Sequence, residues 1–449
     1  MNPLSRHTWR EAWIVYRERR VLAMLFLGFS AGLPLLLVFG TLSAWLRREG
    51  LDRSTIGHIS WVALLYGLKF VWAPLVDRVR LPVLGHWLGQ RRSWMLLAQL
   101  GVIVGLIAMA TSTPHEQLAW LVTAALLVAF SSATQDIAID AWRIEIVPVN
   151  MQGAMAGTYQ LGYRLGMLLA GGGTFVLAHY HSWPFAYSVM ALGMGVGVVA
   201  TLVISEPDHT VAQDTWRQEG RVIAFLEHSA HLPSTLRHAY AWFIGAVICP
   251  FTDFFSRNVR LALVILLFIG VFRISDITMG IMAGPLYVDL GYSDLEIGVV
   301  SKSAGLIVTI LGALFGGVLV MRYGVMRMLL VSALLVIVTN LAFVWLAMQH
   351  ANVWFLAVVV AADNLSGGIA GTAFIAYLSG LTNRAYTATQ YALFSSLMLL
   401  PAKFLGGFSG DVVDAVDYPL FFVYTAALGV PSILLVIYLS RVLNTERDQ

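Results

Sequence analysis

Residues 21–46 have the sequence VLAMLFLGFSAGLPLLLVFGTLSAWL, an apolar run that contains no charged side chain. As a helix, about 20 such residues cross roughly 30 Å of membrane hydrocarbon. Runs of this kind recur along the chain, and they predict twelve membrane spans. Numbered 1 to 12 in chain order, the predicted spans are 21–46, 56–76, 93–112, 118–141, 155–178, 184–204, 260–287, 295–320, 326–347, 353–380, 386–411 and 418–440.

The composition supports lipid as the solvent. Of 449 residues, 58% are hydrophobic and 12% are charged, whereas roughly 25% are charged in a soluble domain. No stretch shows the strict alternation of a membrane β-strand. Since only helices and closed barrels satisfy their backbone groups in lipid, we expect an all-α membrane protein.

A long polar interval divides the spans into two sets of six. It predicts a cytoplasmic N-terminal segment (1–20), a six-helix bundle (21–204), a cytoplasmic linker (205–258), a second six-helix bundle (259–441) and a cytoplasmic tail (442–449). Residues 239–251 are apolar but too short to span, so we expect an interfacial helix there. Two such pseudo-symmetric halves around a midplane site are typical of secondary transporters.

Charge patterning indicates the orientation and excludes some partners. Arginines concentrate in the N-terminal segment and in the loop after span 2, which predicts cytoplasmic termini by the positive-inside rule. No basic patch with interleaved aromatic residues suggests nucleic acid. Histidines are not paired at ligand spacing within the spans, so we expect no metal and no cofactor. We expect a monomer in the lipid bilayer.

Ionisable side chains inside the spans are the strongest functional signal. Each costs at least about 2.5–3.5 kcal/mol at a helix centre, so it normally faces a partner or an aqueous cavity. We predict that the two halves line one such cavity. The residues concerned are Lys69, Asp136, Asp140, Arg164, Arg273, Asp276, Lys302, Asp363 and Lys403.

Three of the carboxylates are candidates for proton coupling: Asp136, Asp140 and Asp276. Asp136 is preferred, because a half-buried carboxylate can change its protonation when its surroundings change. The alternative is that Asp136 only pairs with Arg164 or Lys69 and holds helices together. A purely local pair is equally compatible with Arg273 and Asp276, which are three residues apart.

Cations and neutral polar residues within the spans suit a sugar with carboxylates. The predicted substrate-binding residues are Lys69, Gln135, Tyr159, Tyr163, Arg164, Arg273, Lys302, Asn364, Gln390 and Lys403. Tyr66 is a further candidate for stacking on a sugar ring. Most such aromatic and amide residues in membrane proteins serve helix packing and interface belts, which is the alternative for each.

A charged motif, Pro74-Leu-Val-Asp77-Arg78 followed by Arg91-Arg92, lies between spans 2 and 3. It is similar to the signature loop of major facilitators, with longer spacing. Asp77 beside several arginines can form charge-assisted bonds that close the cytoplasmic side, so Asp77, Arg78, Arg91 and Arg92 are predicted gating residues. Arg91 and Arg92 can also serve only as topology anchors.

Six segments of the chain resemble the AmpG family of muropeptide permeases of the major facilitator superfamily. They are 28–34 (GFSAGLP), 69–78 (KFVWAPLVDR), 132–142 (SATQDIAIDAW), 161–168 (LGYRLGML), 364–368 (NLSGG) and 388–390 (ATQ). Residues 209–240 depart from the family pattern as an insertion. Arg273 stands where a Lys is familiar and Asp363 where a Glu is, which affects the reach of these side chains.

The resemblance implies a twelve-helix major-facilitator fold in the bacterial inner membrane. It also implies proton-driven import of anhydromuropeptides, GlcNAc-1,6-anhydro-MurNAc with or without peptide, for peptidoglycan recycling and β-lactamase induction. The first alternative is a facilitator for another substrate, such as a peptide, siderophore, acyl-CoA or drug. A membrane-embedded transferase is a remote alternative, because the linker carries no recognisable nucleophile or metal constellation.

Overall fold

The computed structural model describes residues 14–51, 55, 59, 62, 64–207, 220–229, 233–293, 296–406 and 408–448. Within these residues, every predicted span contains helix, and ten helices are long and apolar enough to cross a membrane. The remaining two predicted spans, 2 and 11, are also helical where they are described. The prediction of an all-helical membrane protein is confirmed.

The helical segments at the first six predicted spans follow in chain order. After a 3₁₀ turn (Val15–Arg17), their helical segments are Arg19–Leu37 and Gly40–Arg48; Leu64–Leu68, Lys69–Val71 and Ala73–Arg78; Gln90–Ala110; Leu118–Ile146; Gln152–Leu168, Leu169–Gly173 and Thr174–Tyr180; and Trp183–Gly193 and Gly195–Val203. A short helix, Leu84–Leu88, joins spans 2 and 3. Span 1 packs on spans 4, 5 and 6, while span 3 packs on spans 4 and 6.

The second half follows the linker. Its helical segments are Ala262–Val271 and Ile274–Asp289; Ile297–Ala304 and Gly305–Tyr323; Val325–Ala347; Val353–Leu381; Thr387–Gly406; and Ser409–Leu428 and Val430–Asp448. Spans 8 and 9 pack on span 10, and span 12 packs on spans 7 and 9. The helix Ser409–Leu428 is broken at Asp417, whose φ is 63°, two residues before Pro419 and just ahead of the predicted start of span 12.

Glycine allows spans 1 and 5 to pack backbone to backbone. A Cβ at Gly162 would overlap the carbonyl oxygen of Leu25, and a Cβ at Gly28 would overlap that of Tyr159. Small residues of this kind let membrane helices approach closely and gain dispersion contacts. Spans 1 and 5 therefore form the tightest helix pair of the first half.

The linker is helical over a longer stretch than the apolar residues 239–251. Its segments are Gly220–His228, Ser234–Phe243, Ile244–Ile248 and Cys249–Arg257. Before span 8, Ser293 and Glu296 form the capping box that their spacing predicts: the Ser293 N–H and hydroxyl donate to the Glu296 carboxylate at 2.9 and 2.7 Å.

Candidate substrate path and gate

The two halves meet at the end of the molecule that carries Arg78, Arg91 and Arg143, here called the arginine-rich end. Span 5 lies against span 8 there, and the carbonyl oxygen of Gly153 is within van der Waals distance of Gly317. Tyr16, before span 1, donates a hydrogen bond to the carbonyl of Leu314 at 2.7 Å. This end is therefore closed by direct contact between the halves.

Asp77 connects the first half to the start of span 11. Its carboxylate accepts hydrogen bonds from the Ala388 N–H at 2.9 Å and from the Thr389 N–H and hydroxyl, each at 2.6 Å. Free N–H groups at a helix start carry partial positive charge, so an anionic side chain caps them well. Asp77 is thus an N-terminal cap supplied from the opposite half.

Arg91 holds Asp77 in place. Its guanidinium lies 2.9 Å from the Asp77 carboxylate and 2.6 Å from that of Glu145, and it also donates to the Val76 carbonyl. Both Asp77 and Arg91 side chains are only 2% exposed. Sequence reasoning missed Glu145, although it lies on the same helix as Asp136 and Asp140. Arg91 is therefore more than a topology anchor.

Arg78 and Arg92 have different positions. Arg78 donates to the carbonyl of Gly245 in the linker at 3.1 Å, and its guanidinium lies 5.0 Å from the ring centre of Tyr386 in the second half. Arg92 instead binds the carbonyls of Thr201 and Leu202 at the end of span 6. Its side-chain bonds thus stay within the first half.

Glu206 caps the start of span 3. Its carboxylate accepts from the backbone N–H groups of Arg91 and Arg92 at 2.7 and 3.1 Å. Burial raises the pKa of Glu206, and these hydrogen bonds oppose that effect. The loop between spans 2 and 3 is thereby anchored at both ends.

Arg143 forms a second bridge between the halves. It donates to Gln152 and to Ser379 of span 10, at 2.8 Å in each case. It also lies 3.3 Å from the Asp140 carboxylate, whose other cation, Lys69, is 4.0 Å away. Asp140 is therefore paired on both sides at the closed end. Sequence reasoning missed Arg143, because in the sequence it looks like the other arginines that only mark the cytoplasmic side.

Deeper in the first half, several buried polar atoms have no hydrogen-bond partner among the described residues. They include both polar atoms of Gln135, one carboxylate oxygen of Asp136 and the hydroxyls of Tyr66 and Ser132. Such atoms are rare in native proteins and require an explanation, such as a ligand or ordered water. Sequence reasoning singled out Gln135, Asp136 and Tyr66 but missed Ser132.

Aromatic and charged side chains surround this polar cluster. Tyr159 and Tyr163 have ring centres 5.9 Å apart. Tyr159 is also within hydrogen-bonding reach of Asp136, and Lys69 is a charged neighbour of that carboxylate. The Asp136 carboxylate thus lies among groups that can bind hydroxyls and amides.

A cavity of about 70 Å³ lies between the two halves. Gln160 and Arg164 line it from span 5, Arg273 from span 7 and Thr309 from span 8. Arg164 Nε and Arg273 Nη1 are buried donors without a partner among the described residues. Both side chains line the same cavity, and a carboxylate bound there would accept hydrogen bonds from both.

The other residues of the predicted site are placed as follows. Arg273 and Asp276 form an ion pair of 2.8 Å beside this cavity. Asn364 accepts a hydrogen bond of 2.6 Å from Thr309 and so supports the cavity wall. Lys403 is exposed. The side chain of Lys302 lies outside the described part of the structure.

Gln390 lies at the arginine-rich end rather than beside the cavity. Its amide donates to the Pro250 carbonyl at 2.8 Å and to Asp253 at 3.0 Å, and accepts from the Asn383 N–H and from Arg257. In this conformation the amide is saturated by the linker helix and by the loop before span 11. Gln390 therefore connects the linker to the loop before span 11.

Comparisons with known proteins agree with this architecture. The Major Facilitator Superfamily profile matches residues 21–407. The chain is 35% identical to the anhydromuropeptide permease of Escherichia coli K12 over 96% of this chain and 82% of that protein. It is 31% identical to a Rickettsia felis protein assigned as transporter AmpG 4, over 96% and 99% of the two chains.

Solved structures share the fold at low sequence identity. The proton:xylose symporter XylE superimposes with a TM-score of 0.63 at 13% identity, covering 95% of both chains. The human organic anion transporter MFSD10 gives 0.61 at 16% identity, covering 93% of this chain and 99% of that one. With its all-helical fold, its apolar helices and the interlocked loop between spans 2 and 3, this chain is a multi-pass membrane transporter of the Major Facilitator Superfamily and belongs to its AmpG family.

Proposed function

We propose that this protein imports anhydromuropeptides across the bacterial inner membrane by proton-coupled alternating access. The substrates would be GlcNAc-1,6-anhydro-MurNAc with or without its peptide, moving from periplasm to cytoplasm for peptidoglycan recycling, with β-lactamase induction as a downstream effect. The 35% identity to the Escherichia coli anhydromuropeptide permease supports this substrate class. The protein acts as a monomer, since one chain supplies both walls of the cavity.

The observation that carries the proposal is the cavity that Arg164 of the first half and Arg273 of the second half both line. Arg164 Nε and Arg273 Nη1 are buried donors without a partner among the described residues, although another nitrogen of Arg273 pairs with Asp276. Two such donors beside one cavity form a site for an anion, and Arg binds carboxylate in a planar, two-pronged geometry. A peptide stem carries such carboxylates. An apolar cation, as handled by many drug exporters, would be repelled here.

The polar cluster of the first half suits the sugar portion. Gln135 offers one amide donor group and one acceptor, the pattern that an acetamido group complements. Tyr66 and Ser132 add hydroxyls, and the Tyr159 and Tyr163 rings offer apolar faces for sugar stacking. The proposed division places the disaccharide against spans 2, 4 and 5 and the peptide between Arg164 and Arg273.

Proton coupling is assigned to Asp136, with the proton gradient as energy source and no cofactor. Asp140 has two cationic partners at the closed end, and Asp276 is paired with Arg273. Among the described residues, Asp136 is the one of these three with a buried carboxylate oxygen that has no hydrogen-bond partner. A carboxylate whose partners are incomplete can gain or lose a proton as substrate enters.

Uptake of labelled disaccharide, with and without peptide, tests this function in a strain that lacks its own permease. We expect accumulation above the empty-vector level, abolished by a protonophore. Uptake of labelled short peptides, siderophores or acyl-CoA in the absence of anhydromuropeptide uptake would favour a facilitator of another substrate. Uptake that persists at full level with the gradient collapsed would remove proton coupling but leave the substrate assignment intact.

A further inference from the structure

We propose that a groove between spans 1 and 6 binds an anionic phospholipid of the membrane leaflet at the arginine-rich end. The groove is a cavity of about 560 Å³, separate from the substrate cavity. It is lined by Arg19, Arg20, Leu22, Ala23, Phe26, Trp142, Ala200, Val203, Ile204 and Ser205. The inference does not depend on which substrate the transporter carries.

The lining residues are arranged in order of polarity along the helix axis. Arg19 and Arg20 occupy the start of the helix Arg19–Leu37, and Phe26 follows about 9 Å deeper at 1.5 Å per residue. Phe26 is 48% exposed and Val203, on the facing helix, is 80% exposed. A charged rim above an open apolar wall matches a phospholipid headgroup above its acyl chain.

The charge of the groove selects the headgroup. Its lining contains two arginines and no carboxylate. Arg20 donates one hydrogen bond to the Ile146 carbonyl at 3.2 Å. Most of its five N–H donors therefore remain available for a phosphate. Arg19 is exposed, and its side chain forms no hydrogen bond or ion pair within the part of the chain that the structure describes. Guanidinium groups favour phosphate, and basic pockets between spans on the cytoplasmic side are typical sites for anionic headgroups.

A hydrogen bond between Trp142 and Ser205 holds the floor of the groove in place. The Trp142 indole N–H donates to the Ser205 carbonyl at 2.9 Å and thereby joins span 4 to the end of span 6. Trp142 precedes Arg143, which crosses to Ser379 of the other half. A lipid in this groove therefore contacts spans 1, 4 and 6 directly behind the bridge between the halves.

Lipid-dependent stability of the purified full chain tests the proposal. Phosphatidylglycerol and phosphatidylcholine with identical acyl chains are added to detergent-solubilised protein, and thermal unfolding and lipid retention by native mass spectrometry are recorded. We expect phosphatidylglycerol to stabilise the protein more than phosphatidylcholine does. The Arg19→Gln/Arg20→Gln variant should bind phosphatidylglycerol about tenfold more weakly or worse.

Two further variants separate a site from a diffuse charge effect. Arg260→Gln removes an exposed arginine outside the groove and should bind phosphatidylglycerol as the parent does. Ala200→Trp fills the groove while keeping both arginines, and should also lose retention. Glycerol 3-phosphate, which lacks acyl chains, should not stabilise the parent.

Three outcomes would overturn the assignment. Equal stabilisation by the two lipids would exclude selection of an anionic headgroup. Unchanged retention in Arg19→Gln/Arg20→Gln would leave these arginines as topology anchors only. If that variant does not fold, unchanged retention in Ala200→Trp would still show that the groove is not the binding site.

Discussion

Asp77 and Thr389 are separated by 312 positions in the chain, yet the Asp77 carboxylate accepts both the N–H and the hydroxyl of Thr389 at 2.6 Å. The loop after span 2 therefore caps the helix of span 11 across the boundary between the halves. Opening the arginine-rich end requires these charge-assisted bonds to break. Each hydrogen bond to a charged group contributes about 1.5–3 kcal/mol.

Asp77→Asn should weaken the closed conformation. The single cysteine of the chain, Cys249, is buried beside Tyr386, the residue on which Arg78 stacks. Its rate of maleimide labelling therefore reports opening at this end without an engineered cysteine. We expect the rate to rise about tenfold or more in the variant, since 1.4 kcal/mol corresponds to a factor of ten.

The matched control is Asp289→Asn. Asp289 accepts a hydrogen bond of 2.6 Å from Tyr418 and lies at the far end of span 7. This variant should label at the parental rate. Equal labelling rates for parent and Asp77→Asn would show that the cap does not hold the gate shut.

Arg164→Gln and Arg273→Gln should impair substrates with a peptide stem more than the peptide-free disaccharide. The physical reason is the loss of a charge-assisted bond to a carboxylate, which lowers affinity about 10- to 100-fold. Competitive uptake with the two ligands measures the ratio. A uniform loss for both ligands would place the arginines in the transport cycle generally rather than in peptide recognition.

Asp136→Asn should abolish accumulation against a gradient but retain exchange of labelled for unlabelled substrate. The amide keeps the shape of the side chain but cannot carry the coupled proton. Asp140→Asn is the comparison, because Asp140 is paired with Lys69 and Arg143. Its substitution should destabilise the closed arginine-rich end but leave proton-driven accumulation in place. Unchanged accumulation in Asp136→Asn would remove this residue from coupling.

Gly162→Ala should destabilise the first half. The added methyl group would overlap the Leu25 carbonyl, and overpacking of this kind costs about 1–3 kcal/mol. Thermal unfolding in detergent measures the loss. Gly280→Ala is a matched control within a helix, because a Cβ there meets nothing within 4 Å; its unfolding temperature should equal or exceed that of the parent.

Hydropathy was sufficient to predict where helix forms. In lipid every backbone N–H and C=O group needs a hydrogen-bond partner within the protein, and only helices and closed barrels provide one for each. The Ser293–Glu296 cap was also predictable, since both partners lie within one turn. The buried charges pointed to an interior cavity, and the structure brings Arg164 and Arg273 to the lining of one. Local rules and the cost of buried charge therefore account for the predictable part.

Contacts between distant residues account for most of what sequence reasoning missed. The pattern of the chain does not distinguish Arg143, which bridges to Ser379, from an arginine that only marks topology. Gln390 has the polarity of a sugar-binding amide, but Pro250 and Asp253 of the linker saturate it here. Such assignments depend on which helix ends meet, and no short motif contains that information.

The contact between spans 5 and 8 has a mechanical consequence. Gly153 and Gly157 face Ala313 and Gly317 there, so main chain rests on main chain with few interlocking side chains. Surfaces of this kind can roll or slide over each other without withdrawing large groups from sockets. The hydrogen bonds and ion pairs of the arginine-rich end then provide most of the resistance to rocking. A single proton or a single ligand charge that weakens one of them therefore has a large effect on opening.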